Sequence, residues 1–271
     1  MKIRGASSPY IVWMSIFIIV PLAVVVYFAF TDSMTGAFTF GNVLRLEEYL
    51  PIFLKSVWLA LIASAICLFL GYPTAYYIAR SGKNSQRFLI LLVMLPMCMS
   101  FLLRTLAWVS LLEDTGLINR ALKSIGLRAL PLSRNSAAVV LGMVYNYLPY
   151  MILPLHSVLV KMDPTLIEAA QDLGCAPGNV FLRVTLPLSK PGIISGVTMV
   201  FVPAVSTFYI SKKLGSAGTV LIGDVIESQF KTAYNPNLGA ALSLILMVLI
   251  FICIGLMNRF SGSDDEGMVT L

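Results

Sequence analysis

Along its length the chain alternates long apolar runs with short polar interruptions. A helix crossing about 30 Å of hydrocarbon needs roughly 20 apolar residues. Six windows meet that length with few or no charges, at 10–30, 57–79, 88–112, 136–160, 192–211 and 239–258. The connections between them are short. The pattern therefore predicts an all-α, polytopic membrane protein with six transmembrane helices in a single domain over residues 1–271. The first run follows Met1-Lys2-Ile3-Arg4, the flank of a secretory leader. Its apolar stretch is too long for a leader and no small-residue cleavage site follows, so it reads as a retained helix.

Composition agrees: 58% of the 271 residues are hydrophobic and 12% charged, with a mean hydropathy of +0.87, outside the range of soluble globular domains. The net charge of +6 comes without a basic–aromatic stripe, so it points to membrane lipid and not to nucleic acid. Orientation by positive charge is nearly balanced. Lys2 and Arg4 before the first span, with Arg80, Lys83 and Arg87 after the second, oppose Arg120, Lys123, Arg128, Arg134, Lys212, Lys213 and Lys231. Short early loops obey the rule best, which places both termini in the cytoplasm.

The interruption at 163–187 is built differently from the others. Asp163-Pro164 reads as an N-cap followed by proline at the first helical position, where its missing N–H costs nothing. A short helix to Leu173 follows, and Gly174 suits the left-handed residue that closes it. Pro177 starts a second short helix to Thr185, with Pro187 and Pro191 as its terminators. Glu168 and Asp172 share one face of the first helix, and Ile167, Ala170 and Leu173 are read as another. Small Ala169, Ala170 and Gly174 leave the backbone open to close approach. An interfacial helix on lipid is the plain alternative, but such helices favour basic faces and this one is acidic.

The spacing Glu168-Ala169-Ala170, three residues, Gly174, nine residues, Val184-Thr185-Leu186-Pro187 resembles the EAA signature of permease subunits of ATP-binding-cassette importers, with Val184 in place of the usual isoleucine. The stretches LGYPTAYYIA (70–79), LLRTLAWVSLL (102–112), LPYMILPLHSVLVKMDPTLIEAAQDLG (148–174), VTLPLSKPGIISG (184–196) and LIGDVIESQF (221–230) resemble the spermidine/putrescine branch more than the sulfate, molybdate or maltose branches. The resemblance implies a type I importer permease fold with cytoplasmic coupling helices. It also implies that Glu168, Ala169, Ala170, Asp172, Gly174, Leu186 and Pro187 pass nucleotide-driven closure from an ATP-binding-cassette ATPase dimer to the membrane helices. A second, PotC-like permease and an extracytoplasmic polyamine-binding protein complete the implied complex, in the bacterial inner membrane. The chain has no G-x-x-x-x-G-K-[ST], so the resemblance leaves ATP and Mg to the ATPase and no cofactor to this subunit.

A polyamine path calls for carboxylates, carbonyls and aromatic faces. Tyr145, Asn146 and Tyr147 on the fourth span, and Asp224 and Glu227 beyond the fifth, are the candidates, set against an ordinary solvated outer loop. Arg104 lies near the outer end of the third span, where it is expected to snorkel to the interface. The basic amphipathic stretch 116–128 suits a lipid surface, with docking of a binding protein as the alternative. Cys67, Cys98, Cys175 and Cys253 have neither paired spacing nor a second histidine, so no metal or disulfide framework is indicated. Among other classes, a secondary transporter would carry paired repeats and buried acids in its spans. An intramembrane hydrolase using Ser206 and His156 lacks any nucleophile motif.

Overall fold

The computed structural model describes residues 12–33, 35–128 and 130–261, and among them helices account for nearly all regular structure. The first helix, α1 (Val12–Ala29), is apolar on every side and only 6% buried. It lies along the last helix, α12 (Pro236–Ser261), where Ala29, Ala240 and Ala241 meet. Asn237 Nδ2 ties the two by donating to the Thr31 carbonyl at 2.6 Å. Tyr10 and Ile11 of the expected span lie outside the described residues.

Three helices make the core: α2 (Leu46–Arg80), α6 (Ser136–Leu159) and α9 (Lys190–Val205). At 35 residues, α2 is longer than the expected span by eleven residues at its start and one at its end, because Leu46, Tyr49 and Ile52 also pack on the core. Met151 fills the centre. A β-carbon on Gly71 of α2 would sit 2.9 Å from Met151 Cγ, and one on Gly196 of α9 would sit 2.7 Å from its Sδ. Only a residue without a side chain lets each backbone come that close.

The third expected span is not one helix. It divides into α3 (Lys83–Cys98) and a second limb containing α4 (Phe101–Leu112) and α5 (Leu117–Ser124), bent by 87°. Pro96 lies in a 3-10 turn, and Met99 and Ser100 are extended, which ends the i→i−4 ladder. The apolar sequence runs on through the break. The expected 192–211 span likewise stops at Val205, and α10 (Tyr209–Leu214) follows as a separate helix. Pro203 cannot donate in the last turn of α9. Four helices are thus long and apolar enough to cross a membrane alone, and six spans result when each of two bent pairs counts as one.

The 163–187 interruption forms α7 (Pro164–Asp172) and α8 (Pro177–Leu188), the latter including a π turn. The second helix runs past Thr185 to Leu188 with Pro187 in its last turn, and the chain turns by 65° into α9. A last short helix, α11 (Ile222–Lys231), lies between α10 and α12.

Candidate functional site

The α7–α8 corner follows the local chemistry read from the sequence. Asp163 Oδ1 accepts the Thr165 N–H at 2.9 Å, which holds that carboxyl below the usual aspartate range. Gly174 has φ +79 and nothing within 4 Å of where a β-carbon would be. The Cys175 N–H reaches back to the Ala170 carbonyl and the Gly174 N–H to that of Gln171, the reciprocal bonds of a left-handed helix stop.

On this corner Glu168, Ala169, Asp172 and Gly174 are exposed and Ala170 is half-buried. Neither Glu168 nor Asp172 pairs with a cation among the described residues. Leu186 is half-buried and Pro187 exposed. Ile167 is buried, but Leu173 is 85% exposed, so the two do not share the face expected of them. Leu166 and Leu182 are exposed too. The corner, where Leu188 is exposed as well, therefore offers carboxylates, small residues and uncovered leucines together.

Behind the corner an aromatic group grips it. The Phe181 ring of α8 packs edge-on against Tyr72 and Tyr76 of α2, at 5.5 and 6.2 Å, and Arg80 lies over the Tyr76 ring at 5.0 Å. Tyr72 Oη is 2.9 Å from Ser189 Oγ. That serine donates to the Leu186 carbonyl, so the tyrosine is the donor. Sequence reading missed this group, and its only trace was the aromatic pair at i, i+4 in 72–76. His156 makes a packing contact: its Nε2 is 2.8 Å from Gln86 Nε2, which ties α6 to the first turn of α3.

The pathway candidates fall into two separate places. Asn146 and Tyr147 are buried within the helix packing. Asn146 Nδ2 donates to the Gly142 carbonyl at 2.9 Å and Tyr147 Oη to that of Pro203 at 3.3 Å. Tyr145 packs against Trp108 at 5.2 Å and lines an apolar cavity of about 700 Å³ between α2, α4 and α6. Asp224 and Glu227 line a different, polar cavity of about 540 Å³ beside α10. There Asp224 accepts from Ser211 Oγ at 2.9 Å and from the Leu221 N–H at 2.8 Å. Burial nevertheless lifts its carboxyl above the usual value, against the pull of those two bonds. Glu227 is clasped by Lys212 at 2.9 Å and Lys231 at 3.0 Å, whose ammonium groups lower its pKa. Arg104 does not snorkel: it is 8% exposed, and its Nε and Nη1 have no hydrogen-bond partner among the described residues.

The helices and the capped, acidic, partly apolar corner are those of an all-helical, membrane-spanning bundle. The sequence matches, over residues 2–262, the family described as binding-protein-dependent transport system inner membrane component, and the chain belongs to it. It is 35% identical over 252 residues to the spermidine/putrescine transport system permease protein PotB of Haemophilus influenzae, covering 89% of this chain and 88% of that one. It is 34% identical over 247 residues to PotB of Escherichia coli K12, with 88% and 90% covered. The fold is that of a chain in the crystal structure of a bacterial alginate ABC transporter bound to its periplasmic protein, with TM-score 0.74, 17% identity and 95% and 93% of the two chains covered. The protein is a multi-pass permease subunit of the inner membrane.

Proposed function

We propose that this chain is one permease half of an ATP-driven importer for spermidine or putrescine, and that the α7–α8 corner is where it couples to the ATPase. The observation that carries the coupling reading is the exposure of Glu168, Ala169, Asp172, Leu173 and Gly174 on a rigidly capped corner. A partner surface covering it would bury exposed leucines and meet two carboxylates that no described residue pairs. Both termini and the corner lie in the cytoplasm in this reading, and an ATPase dimer there holds the ATP and Mg. A PotC-like permease supplies the other half of the pathway, and an extracytoplasmic polyamine-binding protein delivers the cargo. The polyamine assignment rests on the similarity to two PotB proteins over almost nine-tenths of the chain.

Within the pathway we assign Tyr145, Asp224 and Glu227 to walls, and Asn146 and Tyr147 to their support from inside the packing. The deciding experiment reconstitutes the permease pair with its ATPase in vesicles and adds binding protein loaded with spermidine, putrescine, molybdate or maltose. ATP hydrolysis stimulated by a polyamine alone is the expected result. Stimulation by another solute would overturn the assignment of cargo while leaving the corner's role intact.

A further inference from the structure

The two polar regions at opposite ends of the molecule are joined by one helix. Near the corner, α2 is held by Tyr72, whose hydroxyl donates to the buried Ser189 at 2.9 Å and whose ring meets Phe181 of α8 at 5.5 Å. Near its other end, the fully buried Ser56 of α2 accepts the N–H of Ile222, the first residue of α11, at 2.8 Å. Its neighbour Lys55 donates Nζ to the Gly218 carbonyl. The two grips are sixteen residues apart, about 24 Å along a helix. Pro51 lies outside that interval, and Pro73 removes only the bond to the Phe69 carbonyl in its last turn, so the hydrogen-bond ladder from Ser56 to Leu68 is uninterrupted by proline. The same α11 that Ser56 holds by its first N–H carries Asp224 and Glu227.

We infer that α2 is the rod by which a displacement of the α7–α8 corner is delivered to the α10–α11 cap, with Tyr72 and Ser56 as the positioning residues at its two ends. This rests on the reading of the corner as the ATPase contact. A push on α8 moves Phe181 and Ser189. Their grip moves the turn of α2 that carries Tyr72, and the intervening helix, stiff over this length, moves Ser56. The Ile222 N–H sits at the unsatisfied start of α11, where losing its one acceptor leaves a buried donor without a partner. The cap therefore follows the rod, and the cavity lined by Asp224, Glu227 and Lys212 changes shape with it.

The test uses the complete complex of permease pair and cognate ATPase and compares amide hydrogen exchange in the nucleotide-free state and after trapping with ADP and vanadate. In the wild type, exchange around Ile222 should change by at least about threefold on trapping. Tyr72→Phe, which deletes only the hydroxyl, and Ser189→Ala, which breaks the same bond from the other side, should each abolish that change while trapping still occurs. Ser56→Ala should make exchange at Ile222 fast and independent of nucleotide. An unchanged wild-type signal, or a full wild-type change in both Tyr72→Phe and Ser189→Ala, would overturn the rod. If one variant fails to assemble, the other decides. A wild-type permease that never co-purifies with its ATPase would instead defeat the reading of the corner, and the rod with it.

Discussion

Each end of this molecule carries a pair of acidic residues at helical spacing, and the two pairs meet opposite fates. Glu168 and Asp172 stand on an exposed face without cationic partners among the described residues. Asp224 and Glu227 are already engaged, one by a serine hydroxyl and a backbone N–H, the other by two lysines. Sequence spacing is the same kind of signal in both cases. What separates them is whether the neighbouring chain satisfies the charge, and a carboxylate left open on a rigid corner is available to another molecule in a way that a clasped one is not.

The contrast breaks most readily at Leu173. Replacing this outward leucine by aspartate should weaken ATPase association by about 2 kcal/mol, roughly thirtyfold, as expected for a leucine buried only on docking. Co-purification and titration with the ATPase measure it, and the isolated permease should melt as before. Gly174→Glu comes next. A side chain at φ +79 strains the corner and adds charge to the docking face, so uptake should fall about tenfold, near 1.4 kcal/mol, with normal insertion. Uptake at the wild-type level would remove the corner from coupling.

At the opposite end the effects belong to stability first. Asp224→Ala leaves the Leu221 N–H and Ser211 hydroxyl without their acceptor and should cost about 1 to 2 kcal/mol in thermal unfolding of the purified permease. Lost uptake with an unchanged melting temperature would instead show that the carboxylate meets the cargo. The pH dependence has a definite sign. Because the Asp224 carboxyl is raised on folding, the folded state holds its proton more tightly. Its contribution to stability therefore falls as pH rises from the ordinary aspartate value through the raised one. Glu227 is lowered, so its contribution is complete above the ordinary glutamate value and is lost as pH falls through the depressed one. Unfolding of wild type against Asp224→Asn and Glu227→Gln across mildly acidic pH should show these opposite slopes. At neutral pH Glu227→Gln should be the smallest change, under about 1 kcal/mol, because both lysines reach it through solvent.

Features fixed by neighbours in sequence were legible. The Asp163 cap, the proline at the start of α7 and the left-handed Gly174 each depend on a few adjacent residues, and each stands where the spacing places it. The all-helical membrane fold followed from hydropathy alone. The break after Cys98 was legible only as a kink at Pro96, because apolar residues continue through it and a hydropathy window does not distinguish a helix from its bend. Leu173 was misplaced for a geometric reason: at about 100° per residue, six steps from Ile167 carry it well off that residue's face. The satisfied state of Asp224 and Glu227 was half legible, since Lys231 stands four residues from Glu227, while Ser211 and Lys212 reach them from another helix. The Tyr72–Ser189 contact joins residues 117 positions apart, a distance no local pattern spans.

Met151 gives the core a mechanical character of its own. A branched side chain between the Gly71 and Gly196 backbones would lock three helices in one register, since its shape fits a single placement. An unbranched thioether with three rotatable bonds can re-form around a shifted neighbour and keep the space filled. The centre of this bundle is thus filled by a side chain whose several conformers can each keep contact with both glycine backbones.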